Sequence, residues 1–167
     1  KRVDLLLRAC AALPPDLQPR LWVVGDGPAR ADFQGLASQV FPTAEFLGAR
    51  QGDELDLLFA AADLFVLPGT GGLAVQEAMA HALPVIVSEA DGTQEDLVSS
   101  RNGWLVPSDD LPALRAALED ALSDVPRLRC MGTESYRIVA EEINIKTMAQ
   151  TFLQASTAAL QWYNTSV

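Results

Sequence analysis

The residues of this chain best suited to chemistry are Pro68-Gly69-Thr70-Gly71-Gly72 and, shortly after them, the carboxylate of Glu77. An apolar run, Leu64 to Leu67, leads into the glycines. A helical pattern opens directly from them and carries Glu77 about a turn and a half inside. A second apolar run, Pro84 to Val87, follows. Strand, glycine loop, helix, strand is how a parallel α/β domain brings backbone N–H groups to a helix N-terminus. That end carries unpaired donors and partial positive charge, so it attracts phosphate. Small residues there also permit close backbone approach. The implied ligand is a phosphorylated small molecule, with Glu77 placed to accept from its hydroxyls. The same residues admit a plainer reading, a tight turn followed by a carboxylate on a solvated helix face.

Other candidates carry weaker signals. Gly25-Asp26-Gly27-Pro28 follows an apolar run and invites a dinucleotide fingerprint, but Arg30 stands at the third glycine position. It reads as a turn at the edge of a site. His81, the single histidine, falls in the last turn of its helix and suits the helix dipole better than a general-base role. Asp91 and Glu95 read as helix-entry carboxylates, with donor contact the alternative. The runs Asp53-Glu54-Leu55-Asp56 and Asp109-Asp110 read as solvated helix starts. Cys10 and Cys130 have no metal spacing and are expected as buried reduced thiols. No Asp-x-Asp pair or His/Cys cluster suggests a metal.

The elements that must position these residues alternate. Val3, Leu6, Leu7 and Cys10 predict an opening helix that Pro14-Pro15 ends. Leu21 to Val24 predicts a strand, and Pro28 is expected in the first turn of a helix reaching about Val40. Ala44 to Leu47 is a strand ending at Gly48, and Asp53 to Ala62 a helix. Thr93 to Ser99 is a short helix, and Trp104 to Val106 a strand. Ser108 or Asp109 is expected to cap the next helix, with Leu111, Leu114, Leu118 and Leu122 on one face. Helices over about Pro126 to Glu142 and Ile145 to Tyr163 finish the chain. Such alternation predicts a three-layer α/β/α, Rossmann-like domain with a parallel sheet covered on both faces. A doubly wound half normally starts on a strand, so a strand is expected to precede Lys1 in a larger protein.

Composition sets bounds. The 167 residues suit one domain. With 49% hydrophobic and 20% charged residues, the chain reads as an ordinary globular α/β domain. A net charge of −10 argues against nonspecific binding to nucleic acid or to anionic membranes. Any phosphate site must therefore be local, made by a helix end and one or two cations. The absence of a long apolar run and of a signal pattern points to a cytoplasmic setting.

The order and spacing of these segments resemble the C-terminal, donor-binding half of a GT-B glycosyltransferase of the large retaining family 4. The resemblance is carried by KRVDLLLRA, LWVVGDGPAR, EFLG, DLFVLP…EAMAHALPVI and NGWLVPSDDLPALRAAL. It implies a nucleoside-diphosphate sugar as donor and a hexose-type transfer to a glycan or lipid-linked acceptor. It further implies an N-terminal acceptor-binding half in the same protein, and membrane contact at most peripheral. Of the family's two glutamates, the one on the ribose matches Glu77. The other, eight positions earlier, falls at Gly69. Lys1 and the backbone of Gly71, Gly72 and Leu73 match the diphosphate-binding groups. Gly48, Gly69, Thr70, Asp91, Gly92 and Thr93 match positions facing the base or the donor sugar. Ala82 stands where the family prefers a glycine. No metal cofactor is implied, and no catalytic side chain is assigned.

Three other readings remain. A GT-B sugar-nucleotide epimerase would need an additional acid/base pair near the sugar, for which His81 and Asp91 are the candidates. A noncatalytic module derived from a transferase half is favoured by Gly69 and opposed by Glu77. A dinucleotide-binding domain is opposed by the broken fingerprint.

Overall fold

The computed structural model describes residues 1–89 and 92–166, with residues 164–166 in backbone only. Five strands alternate with helices: α1 (Val3–Ala11), β1 (Trp22–Val24), α2 (Arg30–Val40), β2 (Glu45–Gly48), α3 (Asp53–Ala61), β3 (Phe65–Leu67), α4 (Gly72–Ala80), β4 (Val85–Ser88), α5 (Thr93–Leu97) and β5 (Gly103–Val106). Helices α6 (Leu111–Leu122), α7 (Val125–Arg137) and α8 (Ile145–Ser166) complete the order. All pairings among the described residues are parallel. They fall into two sheets, β1-β2 and β3-β4-β5, rather than one. The expected α/β class and parallel strands are present, and the sheet is divided between β1 and β3.

Side chains alternate across the strands with period 2. On one side Val66, Ile86 and Val106 meet Leu5, Leu6 and Leu7 of α1 and Leu114 and Leu118 of α6, with Leu21 and Phe46 from the β1-β2 sheet. One apolar cluster thus lies over both sheets. On the other side Val85, Val87 and Leu105 meet Phe59, Val75, Met79 and Leu97. All four residues of β4 are buried, as a central parallel strand requires. Strands β1 and β3 are only partly buried, and their facing edges make no ladder with each other.

Several expected boundaries shift. Pro28 sits in the turn before α2 instead of its first turn, and Ala29 is the N-cap. The cap of α6 is Asp110, whose carboxylate accepts from the Ala113 N–H at 2.8 Å. Asp109 has φ +62°, which takes it out of the capping geometry expected for it. The helix expected to reach Glu142 passes at Ile138–Glu142 into a wide turn, where the Ile143 N–H donates to the Ile138 carbonyl at 3.0 Å.

Candidate functional site

The site is built at the carboxyl ends of the strands, where open α/β sheets bind ligands at the point of strand-order reversal. Helix α4 opens there from Gly71, and no side chain of the described residues caps it. Its first turn contains no acidic residue. The other helices that follow strands differ. Asp32 lies in the first turn of α2, Asp53, Glu54 and Asp56 in that of α3, and Glu95 and Asp96 in that of α5. Asp110 caps α6. Among the described residues, in a chain with 22 Asp and Glu residues, α4 is the post-strand helix with neither an acidic residue in its first turn nor a side-chain cap.

A cation lies against that end instead. The Lys1 ammonium donates to the Thr70 carbonyl. A Cβ added to Gly71 would fall 2.5 Å from Lys1 Nζ and 3.1 Å from a Leu67 methyl. Gly69 is equally constrained, since its Cβ would meet the Lys1 Cα and carbonyl carbon at 2.8 Å. Backbone therefore occupies the space that a side chain at position 69 would need. At Gly72 a Cβ would meet Thr93 Oγ1 at 3.3 Å, so α5 begins beside α4. Gly92, with φ +87°, is the N-cap of α5.

Glu77 is exposed. It lies four residues after the exposed Leu73, so both share one face of α4. Its carboxylate has no ion pair or hydrogen bond among the described residues, which leaves it available to a ligand hydroxyl. Its backbone carbonyl accepts from His81 Nδ1 at 2.9 Å. His81 also stacks on Phe59, with ring centroids 4.8 Å apart, and places Nε2 3.2 Å from Asp56. The histidine thus ties the C-terminus of α4 to α3, away from the glycine end.

Across the gap between the sheets, the loops after β1 and β2 are joined. The Gly25 N–H donates to the Gly48 carbonyl at 2.8 Å. Gly48 has φ +74°, a conformation that favours glycine. Arg30 braces this corner, with Nη1 3.4 Å from Asp26 Oδ2 and Nη2 donating to the Phe46 carbonyl at 3.4 Å.

The structure therefore gathers Lys1, Gly69, Thr70, Gly71, Gly72, Leu73 and Thr93 around the start of α4, with Glu77 further along it. It sets Gly48 on the neighbouring sheet. Asp91 lies outside the described residues. Two residues were missed from sequence. Arg30 was read only as an interruption of a glycine pattern. Gln94 is fully buried beside the site, where its amide oxygen accepts from Thr93 Oγ1 at 3.2 Å. A polar residue on the inner face of a short helix was the available signal for it. Cys130 is exposed, contrary to expectation, because it lies on the outer face of α7. Cys10 is buried as expected, and burial pushes its thiol up to about 12. Among the described residues no group of three His, Cys, Asp or Glu side chains is arranged to hold a metal ion.

Comparison with known proteins bears on this arrangement. The family model for glycosyl transferases group 1 matches residues 1–124. A GDP-mannose-dependent alpha-mannosyltransferase of Mycobacterium tuberculosis is 44% identical over 91 residues, covering 53% of this chain and 23% of that protein. One from Mycolicibacterium smegmatis is 35% identical over 152 residues, covering 86% of this chain and 38% of that protein. Sucrose-phosphate synthase from Thermosynechococcus elongatus superposes with a TM-score of 0.76 at 28% identity, covering 98% of this chain and 42% of that one. The chain thus spans less than half the length of these relatives. It belongs to the group 1 glycosyltransferases.

Proposed function

We propose that this chain is the donor-binding half of a retaining glycosyltransferase, one that transfers a hexose-type sugar from a nucleoside diphosphate to a glycan or lipid-linked acceptor. The observation that carries this reading is the pairing of Lys1 with the N-terminus of α4, whose first turn contains no acidic residue. As the glycosidic bond breaks, negative charge develops on the leaving diphosphate. The N–H groups of Gly72 and Leu73 and the Lys1 ammonium are already aimed at that charge and need no reorganisation. Glu77, further along the same helix, accepts from the ribose hydroxyls in a charge-assisted, orienting contact. Thr70, Gly92 and Thr93 face the sugar, and Gly48 the base. Neutralisation by a lysine and a helix end requires no metal. The relatives described as GDP-mannose-dependent support a nucleotide-sugar donor.

The remaining half, which binds the acceptor, is proposed to precede Lys1 in the same protein and to act in the cytoplasm. The divided sheet supports a preceding segment. The Lys1 backbone lies against Gly69, just beyond β3, while α1 covers both sheets. A strand arriving at Lys1 would run between β1 and β3 and complete the sheet. Product analysis on the complete enzyme tests the activity. The expected result is transfer with the anomeric configuration of the donor retained, read by NMR. An epimerised free sugar nucleotide would identify an epimerase instead. Donor binding without turnover would identify the noncatalytic module that Gly69 favours.

A further inference from the structure

Resting on the donor-site reading above, we infer that Arg30 determines nucleobase selection, favouring a base that presents a carbonyl acceptor over adenine. Arg30 is the first residue of α2, at the carboxyl ends of β1 and β2. Its guanidinium is held from two directions. Asp26, whose Oδ1 accepts from the Gly27 N–H at 2.8 Å, offers Oδ2 to Nη1 at 3.4 Å. The Phe46 carbonyl accepts from Nη2 at 3.4 Å. A Cβ on Gly48 would lie 3.2 Å from Nη1, so the guanidinium packs directly against the glycine proposed to face the base.

Three consequences follow. The guanidinium bridges the loop after β1 and the end of β2, on the sheet that does not carry the diphosphate end. Its side chain is 35% exposed, so it is fixed without being enclosed. An arginine has five N–H donors, and these contacts engage only part of that set. A fixed fork of donors selects acceptor edges. Guanine presents O6 and N7, and uracil presents O4, whereas adenine places an N6 donor beside N7. Charge also matters: the opposite charge of Asp26 neutralises Arg30 in part, so the contact is directional more than attractive at long range. A lysine would keep the charge and lose the planar fork.

The test is calorimetric titration of the complete enzyme with GDP, UDP, ADP and inorganic pyrophosphate, for wild type, Arg30→Met and Arg30→Lys. The wild type is expected to bind GDP or UDP at least about tenfold tighter than ADP. In Arg30→Met that preference falls to within about threefold, while pyrophosphate binding is unchanged. Arg30→Lys leaves the preference mostly lost, because the fork is what discriminates. The GDP and UDP arms identify which carbonyl base is taken. An unchanged base preference in both variants overturns the inference, as does weakening of all four ligands by one common factor, which would mark Arg30 as merely structural. Failure of the wild type to bind any of the four overturns the donor-site reading itself. Should Arg30→Met fold poorly by circular dichroism, the Arg30→Lys preference decides alone.

Discussion

At the scale of single residues, the backbone sets the terms on which side chains act. Ala82 ends the turn after α4 with φ +57°, a conformation that strains any residue with a Cβ. Ala82→Gly is expected to raise stability by up to about 1 kcal/mol, read as a higher urea midpoint at unchanged slope. Gly132 of α7 faces the same turn, and a Cβ there would fall 2.0 Å from the Ala82 carbonyl oxygen. Gly132→Ala is expected to destabilise by about 1–3 kcal/mol in the same measurement, because backbone must move to admit the methyl. Equal midpoints for either variant and wild type would contradict these assignments. The site residues follow the same logic: Gly69 and Gly71 are small because Lys1 occupies the adjoining space. Glu77 and Lys1 could be named as candidates from type and spacing together with the family resemblance. Arg30 could not, since its contacts with Asp26, Phe46 and Gly48 join segments that only the fold brings together.

At the scale of elements, sequence pattern located the five strands and the helices of the described residues, while the ends depended on local chemistry. The cap of α6 shows why. Ser108, Asp109 and Asp110 are all suitable cap types, and the backbone decides among them by placing Asp109 at φ +62°. Asp110→Ala is expected to cost about 1 kcal/mol in a denaturation series, and Asp109→Ala at that site to leave the Asp110 cap intact. Helices α6 and α7 are joined by a second device. Asp120 accepts from Arg127 at 2.9 Å and from Trp104 Nε1 at 2.8 Å. These bonds, the arginine's first, hold the Asp120 carboxyl below its usual range. A depressed native pKa contributes stability above the unfolded value of about 4 and loses it as pH falls through the native one. Urea midpoints from about pH 6 down to about pH 3 should therefore drop less steeply for Asp120→Asn than for wild type. Identical slopes would show that the pair is too exposed to matter.

At the scale of the whole molecule, two features point beyond the chain. The sheet is divided between β1 and β3, and α8 presents Ile145, Met148, Phe152, Leu153, Leu160, Trp162 and Tyr163 with most of their surface exposed. Neither apolar cluster includes a residue beyond Ile143. No described helix is long and apolar enough to cross a membrane. Periodicity put Met148, Phe152 and Leu160 at helical spacing, and the family resemblance implied that part of this apolar face would be exposed; periodicity alone could not, because a partner surface leaves no mark on the helix's own pattern. The central claim concerns the pole of α4, and calorimetric titration of the complete enzyme with its preferred nucleoside diphosphate, beside Glu77→Ala, tests it most directly. The account predicts binding that the substitution weakens by about 1–3 kcal/mol, with pyrophosphate affinity unchanged. Equal affinity of the two proteins for the diphosphate would contradict it.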